Sequence, residues 1–208
     1  MIHIDKQSAP LAFTDFVIKQ SPDNWQDFIM LDTDRQVYNS CMTCLRAEQG
    51  DISAYTEAPL GKGLVHIDHY RRRHLFPNLT FIWDNLLADH RTPNYGANLK
   101  DSIIQSPEQY DSLISPIVDN PTHFFTYQLN GDIIPCRDLS VIDRERAEFT
   151  IHCFGLQHPS LREQRRLIIK YIGQYIHSGL DAQCIREVLV NSGFPTVIDF
   201  ALDYYENA

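Results

Sequence analysis

The sequence predicts an α+β protein in which a short strand-bearing core is set among helices. Three observations predict it. Leu64-Val65-His66-Ile67 is an apolar-rich run of strand type that follows glycines at 61 and 63. From Asp138 onward apolar residues recur at three- and four-residue steps, the period of helices buried on one face. The 208 residues, 43% hydrophobic and 22% charged, have the balance of a globular protein and suffice for one compact domain, or a small core within helical flanks.

Each element has its own signal. Residues 1–37 read as an N-terminal helical segment, with a helix start at Ser21-Pro22-Asp23 and an i, i+3, i+4 apolar stripe of Trp25, Phe28 and Ile29. Residues 51–63 are acidic and turn-rich, punctuated by Pro59, Gly61 and Gly63. The strand that follows delivers Asp68 and His69 at its end. A loop over residues 71–81, with Pro77 and Asn78, leads to Phe81, Ile82, Trp83, Leu86 and Leu87, apolar enough for a small core. Residues 95–101 form a helical turn that puts Asn98 on the face of Asn94, weakened by Gly96 by about 1 kcal/mol relative to alanine.

Residues 38–135 make up the central core, and residues 136–208 form a C-terminal helical region that packs on it and faces a partner. That region opens on Val141, Arg144, Glu145 and Glu148. It continues through Leu161, Ile168, Ile172 and Ile176 in a helix begun by Pro159-Ser160. Residues 181–191 and 196–205 give two further helices around Ser192-Gly193-Phe194-Pro195.

No basic segment followed by an apolar stretch opens the chain and no apolar run reaches bilayer length, so the expected location is cytoplasmic with no membrane partner. Five cysteines, an odd number without an export signal, do not make a disulfide framework. Cys41 and Cys44 stand apart as a Cys-x-x-Cys pair, half of a tetrahedral zinc site if a tight turn carries them. A net charge of −9 argues against a surface that grips nucleic acid everywhere. The cations are nevertheless grouped: Arg71, Arg72 and Arg73 follow Asp68-His69, and Arg91 and Lys100 bracket Asn94.

The chemistry-bearing pattern is Asp68-His69, then Asn85, sixteen residues from 69 to 85, then Asn94, nine more from 85 to 94. A carboxylate beside a histidine can hold a hard divalent cation with one side chain and deprotonate a water with the next. Asp68 is the expected charged ligand of Mg²⁺ or Mn²⁺, Asn94 the neutral one and Asn98 a helper. His69, with an ordinary pKa near neutrality, is the expected general base. Arg71, Arg73, Arg91 and Lys100 are the expected phosphate contacts. A Cys-His hydrolase built on Cys153 beside His152 is the rival enzyme; on a strand these neighbours would face opposite ways.

The residues Cys41-x-x-Cys44, His66 to Arg72, Trp83 to Leu87, Leu113-Ile114-Ser115-Pro116 and Gly131-Asp132-Ile133-Ile134-Pro135 fall in a family order. Ala147, Thr150-Ile151, Leu156, Leu161 and Arg165 extend it. Over roughly residues 38–170 the chain resembles the PtuB-like HNH (ββα-metal) endonucleases of Septu-type and retron antiphage systems. The resemblance implies a ββα-metal core in a mostly helical domain, a Mg²⁺-dependent nuclease effector, and an SMC-like, PtuA-like ATPase partner, in some cases within a retron complex. It implies that Asn85 braces the loop around His69, and that Cys41, Cys44 and His90, with His74 as a further donor, can hold a structural Zn²⁺; reduced, partly buried thiols are the alternative reading of the cysteine pair. The chain departs from the pattern at Pro93, where the last zinc cysteine would stand, at Ser115 and at Arg72-Arg73. A catalytically inactive, zinc-stabilised interaction subunit is the alternative reading.

Overall fold

The computed structural model describes residues 1–61 and 63–207; Lys62, inside the expected core, and Ala208, at the end of the expected C-terminal region, lie outside the described residues. Three helices, α1 (Leu11–Gln20), α2 (Trp25–Leu31) and α3 (Gln36–Glu48), precede an antiparallel hairpin of β1 (Val65–His69) and β2 (Leu86–His90). Helix α4 (Ala97–Ile103) follows the hairpin, and a second, three-residue pair joins β3 (Phe125–Tyr127) to β4 (Ile133–Pro135). The chain ends in α5 (Val141–Cys153), α6 (Pro159–His177), α7 (Ala182–Val188) and α8 (Pro195–Glu206). Mixed helix and small antiparallel sheets make this an α+β fold, and no helix of the described residues is long and apolar enough to cross a membrane.

Local chemistry sets the helix boundaries. Asn24 accepts from Gln26 N and Asp27 N at 2.9 and 3.1 Å, so α2 begins one residue after it. Ser140 caps α5 through Asp143 N, and Asp181 caps α7 through Cys184 N. Pro159 and Pro195 occupy the first positions of α6 and α8, where a missing N–H costs nothing. Gly96 lies just before α4 and not inside it: its φ of +71° places it in the left-handed region, so it starts the helix it was expected to weaken.

The β1–β2 hairpin is the central layer. Its register pairs Val65 with His90, Ile67 with Ala88 and His69 with Leu86. Period-two alternation sends Ile67, Leu86 and Ala88 into a core with Phe13, Trp25, Phe28, Cys41 and Leu45 from the first three helices. Leu87 goes to the other face, into the larger core built with Tyr55, Ala97, Phe154 and Ile168. Gln49, at the end of α3, extends the sheet with its side chain: Oε1 accepts from Ala88 N at 2.7 Å and Nε2 donates to Ala88 O at 2.8 Å. The expected boundary between residues 37 and 38 therefore falls inside α3, whose contacts tie it to α1 and β2 alike.

Candidate functional site

Asp68 and His69 are the last two residues of β1. In an extended strand consecutive side chains leave on opposite faces, and their partners show it. Asp68 faces the larger core, where Tyr55 OH donates to its Oδ2 and Lys100 Nζ lies 3.1 Å from the same oxygen. His69 faces the first core, its ring edge-on to Trp25 with 4.7 Å between centroids. Both are buried, at 5% and 4% exposure.

His69 is held by the loop that follows it. Its Nε2 lies 3.0 Å from the carbonyl oxygen of Thr80. A carbonyl only accepts, so Nε2 carries the proton and Nδ1 bears the lone pair of the neutral ring. Nδ1 makes no hydrogen bond among the described residues. Burial lowers the imidazole pKa to about 4, against the opposing pull of Asp68, so the ring is neutral at pH 7. Arg73 adds to the lowering from nearby, its guanidinium 6.0 Å from the centroid of the same Trp25.

Asn85 closes the loop between the strands. Its Oδ1 accepts from Arg71 N at 2.8 Å, and its Nδ2 donates to Arg71 O at 3.0 Å and to Leu79 O at 3.2 Å. Its own carbonyl accepts from Tyr70 N at 2.9 Å. A primary amide, with one acceptor and two donors, can bridge both ends of a loop in this way. These bonds span the loop from Arg71 to Leu79.

Lys100 departs furthest from expectation. It was read as a phosphate contact on the surface, but it is fully buried on α4, with Nζ 2.9 Å from His69 O and 2.7 Å from Tyr70 O as well as bonded to Asp68. The reason is its place on the stripe Ala97, Lys100, Ile104, which faces the core at three- and four-residue steps. Asn98, two positions earlier, is turned by about 200° from Lys100 on the helix and is exposed. Asn94 is exposed on a loop anchored to the end of α5 by Gly96 N to Phe154 O at 2.9 Å. Asp68, Asn94 and Asn98 are thus not joined in one ligand set. At Asp68 Oδ2 the Lys100 ammonium already stands where a Mg²⁺ or Mn²⁺ ion would bind that oxygen.

The expected zinc donors are also placed differently. Cys41 and Cys44 lie within α3, not in a tight turn, and Cys41 is buried in the first core, where burial pushes its thiol up to about 12. His90 ends β2 and His74 is exposed in the loop after β1. Among the described residues, no three His, Cys, Asp or Glu side chains gather as a metal site. A helix replaces the turn because residues 36–48 lack any Gly or Pro that would interrupt it. Cys153 and His152 are helical neighbours at the end of α5, and burial lifts the Cys153 thiol to about 12, which removes it as a nucleophile at neutral pH.

The chain matches no model of a known protein family and no curated protein.

Among the basic residues, Arg71 packs its guanidinium over Phe76 and Tyr110, with Asp111 3.7 Å away, and Arg73 and Arg91 are exposed. Arg72 turns inward, donating from Nη1 to the carbonyls of Asp101 and Ile104 at 2.7 Å and so capping the end of α4. Tyr55, the Thr80 carbonyl and Asp89 were not singled out from sequence. Asp89 is buried on β2, where Oδ1 accepts from Ser53 OH at 2.5 Å and Oδ2 from Ala97 N at 2.7 Å, so it fixes the start of α4. Its place directly after the apolar run Leu86-Leu87-Ala88, eight residues before a helix, was the available signal.

Proposed function

We propose that this protein is an HNH-type endonuclease, hydrolysing phosphodiester bonds of nucleic acid as the effector of an antiphage complex with an SMC-like ATPase, and working from His69 without the cation at Asp68, Asn94 and Asn98 that the resemblance implies. The observation that carries the reading is the state of His69: a neutral imidazole, anchored at Nε2 by Thr80, with Nδ1 bonded to no protein group among the described residues. A general base must be unprotonated before it acts, and His69 meets that condition at neutral pH, although its lowered pKa makes it a weaker base than a free imidazole. The succession β1, loop, β2, α4 around it, with Asn85 clamping the loop, supports the same assignment.

In this reading Nδ1 of His69 takes the proton of a water, the water oxygen attacks phosphorus, and the ester oxygen leaves and takes up a proton from solvent water. Arg73, which shares Trp25 with His69, and Arg71, stiffened between two rings, neutralise the phosphate oxygens. Arg91 holds a flanking phosphate. The partner is supported by the overall charge of −9, which leaves much of the grip on nucleic acid to another subunit, and by exposed apolar residues on the C-terminal half such as Ile142, Val188 and Val190. A cytoplasmic location goes with that assembly.

A second reading, a non-catalytic interaction subunit, is favoured by one observation: Asp68 and His69 are both nearly closed to solvent. A panel of plasmid, single-stranded DNA and tRNA, incubated with and without the ATPase and ATP, separates the two. Cleavage that His69→Ala abolishes supports the nuclease. Complex formation with no cleavage of any substrate, or cleavage indifferent to His69, overturns it.

A further inference from the structure

Lys100 sits in surroundings that resemble an ion site more than a salt bridge. Its Nζ has four oxygens around it: Asp68 Oδ2 at 3.1 Å, Asp101 Oδ1 at 3.0 Å, His69 O at 2.9 Å and Tyr70 O at 2.7 Å. Two carboxylates and two main-chain carbonyls are the donor set of a hard divalent cation. The rings of Tyr55, Tyr70 and Tyr110 stand 5.9 Å away and close the space to water.

An ammonium does not complete this set. It has three protons for four oxygens: those aligned for hydrogen bonds belong to Asp68, His69 and Tyr70, and Asp101 Oδ1, buried and 3.0 Å away, meets the positive charge with no well-aligned donor among the described residues. A cation that coordinates and does not donate would engage all four oxygens. The single positive charge also faces two carboxylates.

We infer that Lys100 is the resident cation of an oxygen cage of divalent-ion type, and that the protein binds no divalent cation at Asp68 while Lys100 is in place. The lysine does the architectural work of a bound ion. It draws the end of β1, the start of the following loop and α4 together, and does so at any metal concentration. The inference rests on the geometry of the cage and not on the nuclease reading.

Mn²⁺ titration followed by paramagnetic broadening of backbone amides tests it. In the wild-type protein the amides of residues 68–70 are expected to show no saturable broadening. Lys100→Ala, which empties the cage, is expected to lower Tm by roughly 10 °C in EDTA, to gain saturable Mn²⁺ binding that broadens those amides and restores Tm, and to lose both when combined with Asp68→Asn. Saturable broadening at residues 68–70 of the wild-type protein overturns the inference, as does a folded Lys100→Ala that takes up no Mn²⁺. Should Lys100→Ala fail to fold with or without Mn²⁺, the wild-type titration alone decides. Cleavage is not read, so a failed nuclease assay leaves the result standing.

Discussion

Lys100 Nζ lies 3.1 Å from Asp68 Oδ2 where neither side chain meets appreciable solvent, and this contact joins the helix after the hairpin to the strand before it. The attraction is opposed by the desolvation of both charges, so the pair is worth little against apolar residues of the same shape but a great deal against either charge left alone. Replacing Asp68 by Asn, or Lys100 by Met, is expected to cost about 3–5 kcal/mol of stability. The double variant should recover most of that loss. Denaturant unfolding of the four proteins closes the cycle; a double-variant cost equal to the sum of the two single costs would show that the pair is not coupled.

Asp89 gives a pH dependence of defined sign. Burial raises its pKa from the ordinary 3.8 to about 6, despite the opposing bonds from Ser53 and Ala97. The folded protein therefore holds this proton where the unfolded chain has released it, and the contribution to stability falls as pH rises from about 4 to about 6. Asp89→Asn keeps an acceptor for Ala97 N and can donate to Ser53. Its stability relative to the wild type is expected to improve across that window, and chemical unfolding at pH 4, 5, 6 and 7 measures the difference.

Gly96 cannot carry a side chain. At φ +71° a Cβ is strained, and it would run into Asp89 Oδ2, the atom that caps α4. Gly96→Ala is expected to destabilise by about 1–3 kcal/mol and to loosen Lys100, seen as a lower unfolding midpoint and faster amide exchange across α4.

Asn85→Ala removes three hydrogen bonds that tie the two ends of the loop. Left unsatisfied, the buried groups of Arg71 and Leu79 are expected to cost about 1–3 kcal/mol. Amide exchange should rise across residues 70–85 ahead of the rest of the protein.

Much of the scaffold was legible. The strand run at 64–67 does end by presenting Asp68 and His69, and Pro159 does open the long helix, because period and capping are local properties of sequence. The role of Asn85 at the loop closure came only from the family resemblance, since one asparagine among several in this stretch carries no local signal of its own. The contents of the Asp68 site were not. A lysine beside an aspartate at 100 and 101 reads as a solvated turn of helix, and only the tertiary packing of Ala97 and Ile104 shows that its face points inward. The alternation that sends Asp68 and His69 to opposite faces was written in their adjacency, but the expectation of a shared cation set it aside. Cys41 and Cys44 show a similar limit: the spacing of a zinc knuckle is also that of one helical turn, and the absence of Gly or Pro around them favoured the helix.

His69, neutral and anchored by Thr80, is the proposed base in phosphodiester hydrolysis. The most direct measurement is nucleic-acid cleavage by the wild-type protein and by His69→Ala, purified identically, matched for folded content by circular dichroism, and assayed with the ATPase partner and ATP. Cleavage by the wild type with a loss of about 100-fold or more in the variant is the expected result. Equal cleavage by the two proteins, or none by the wild type on any substrate, would contradict the account.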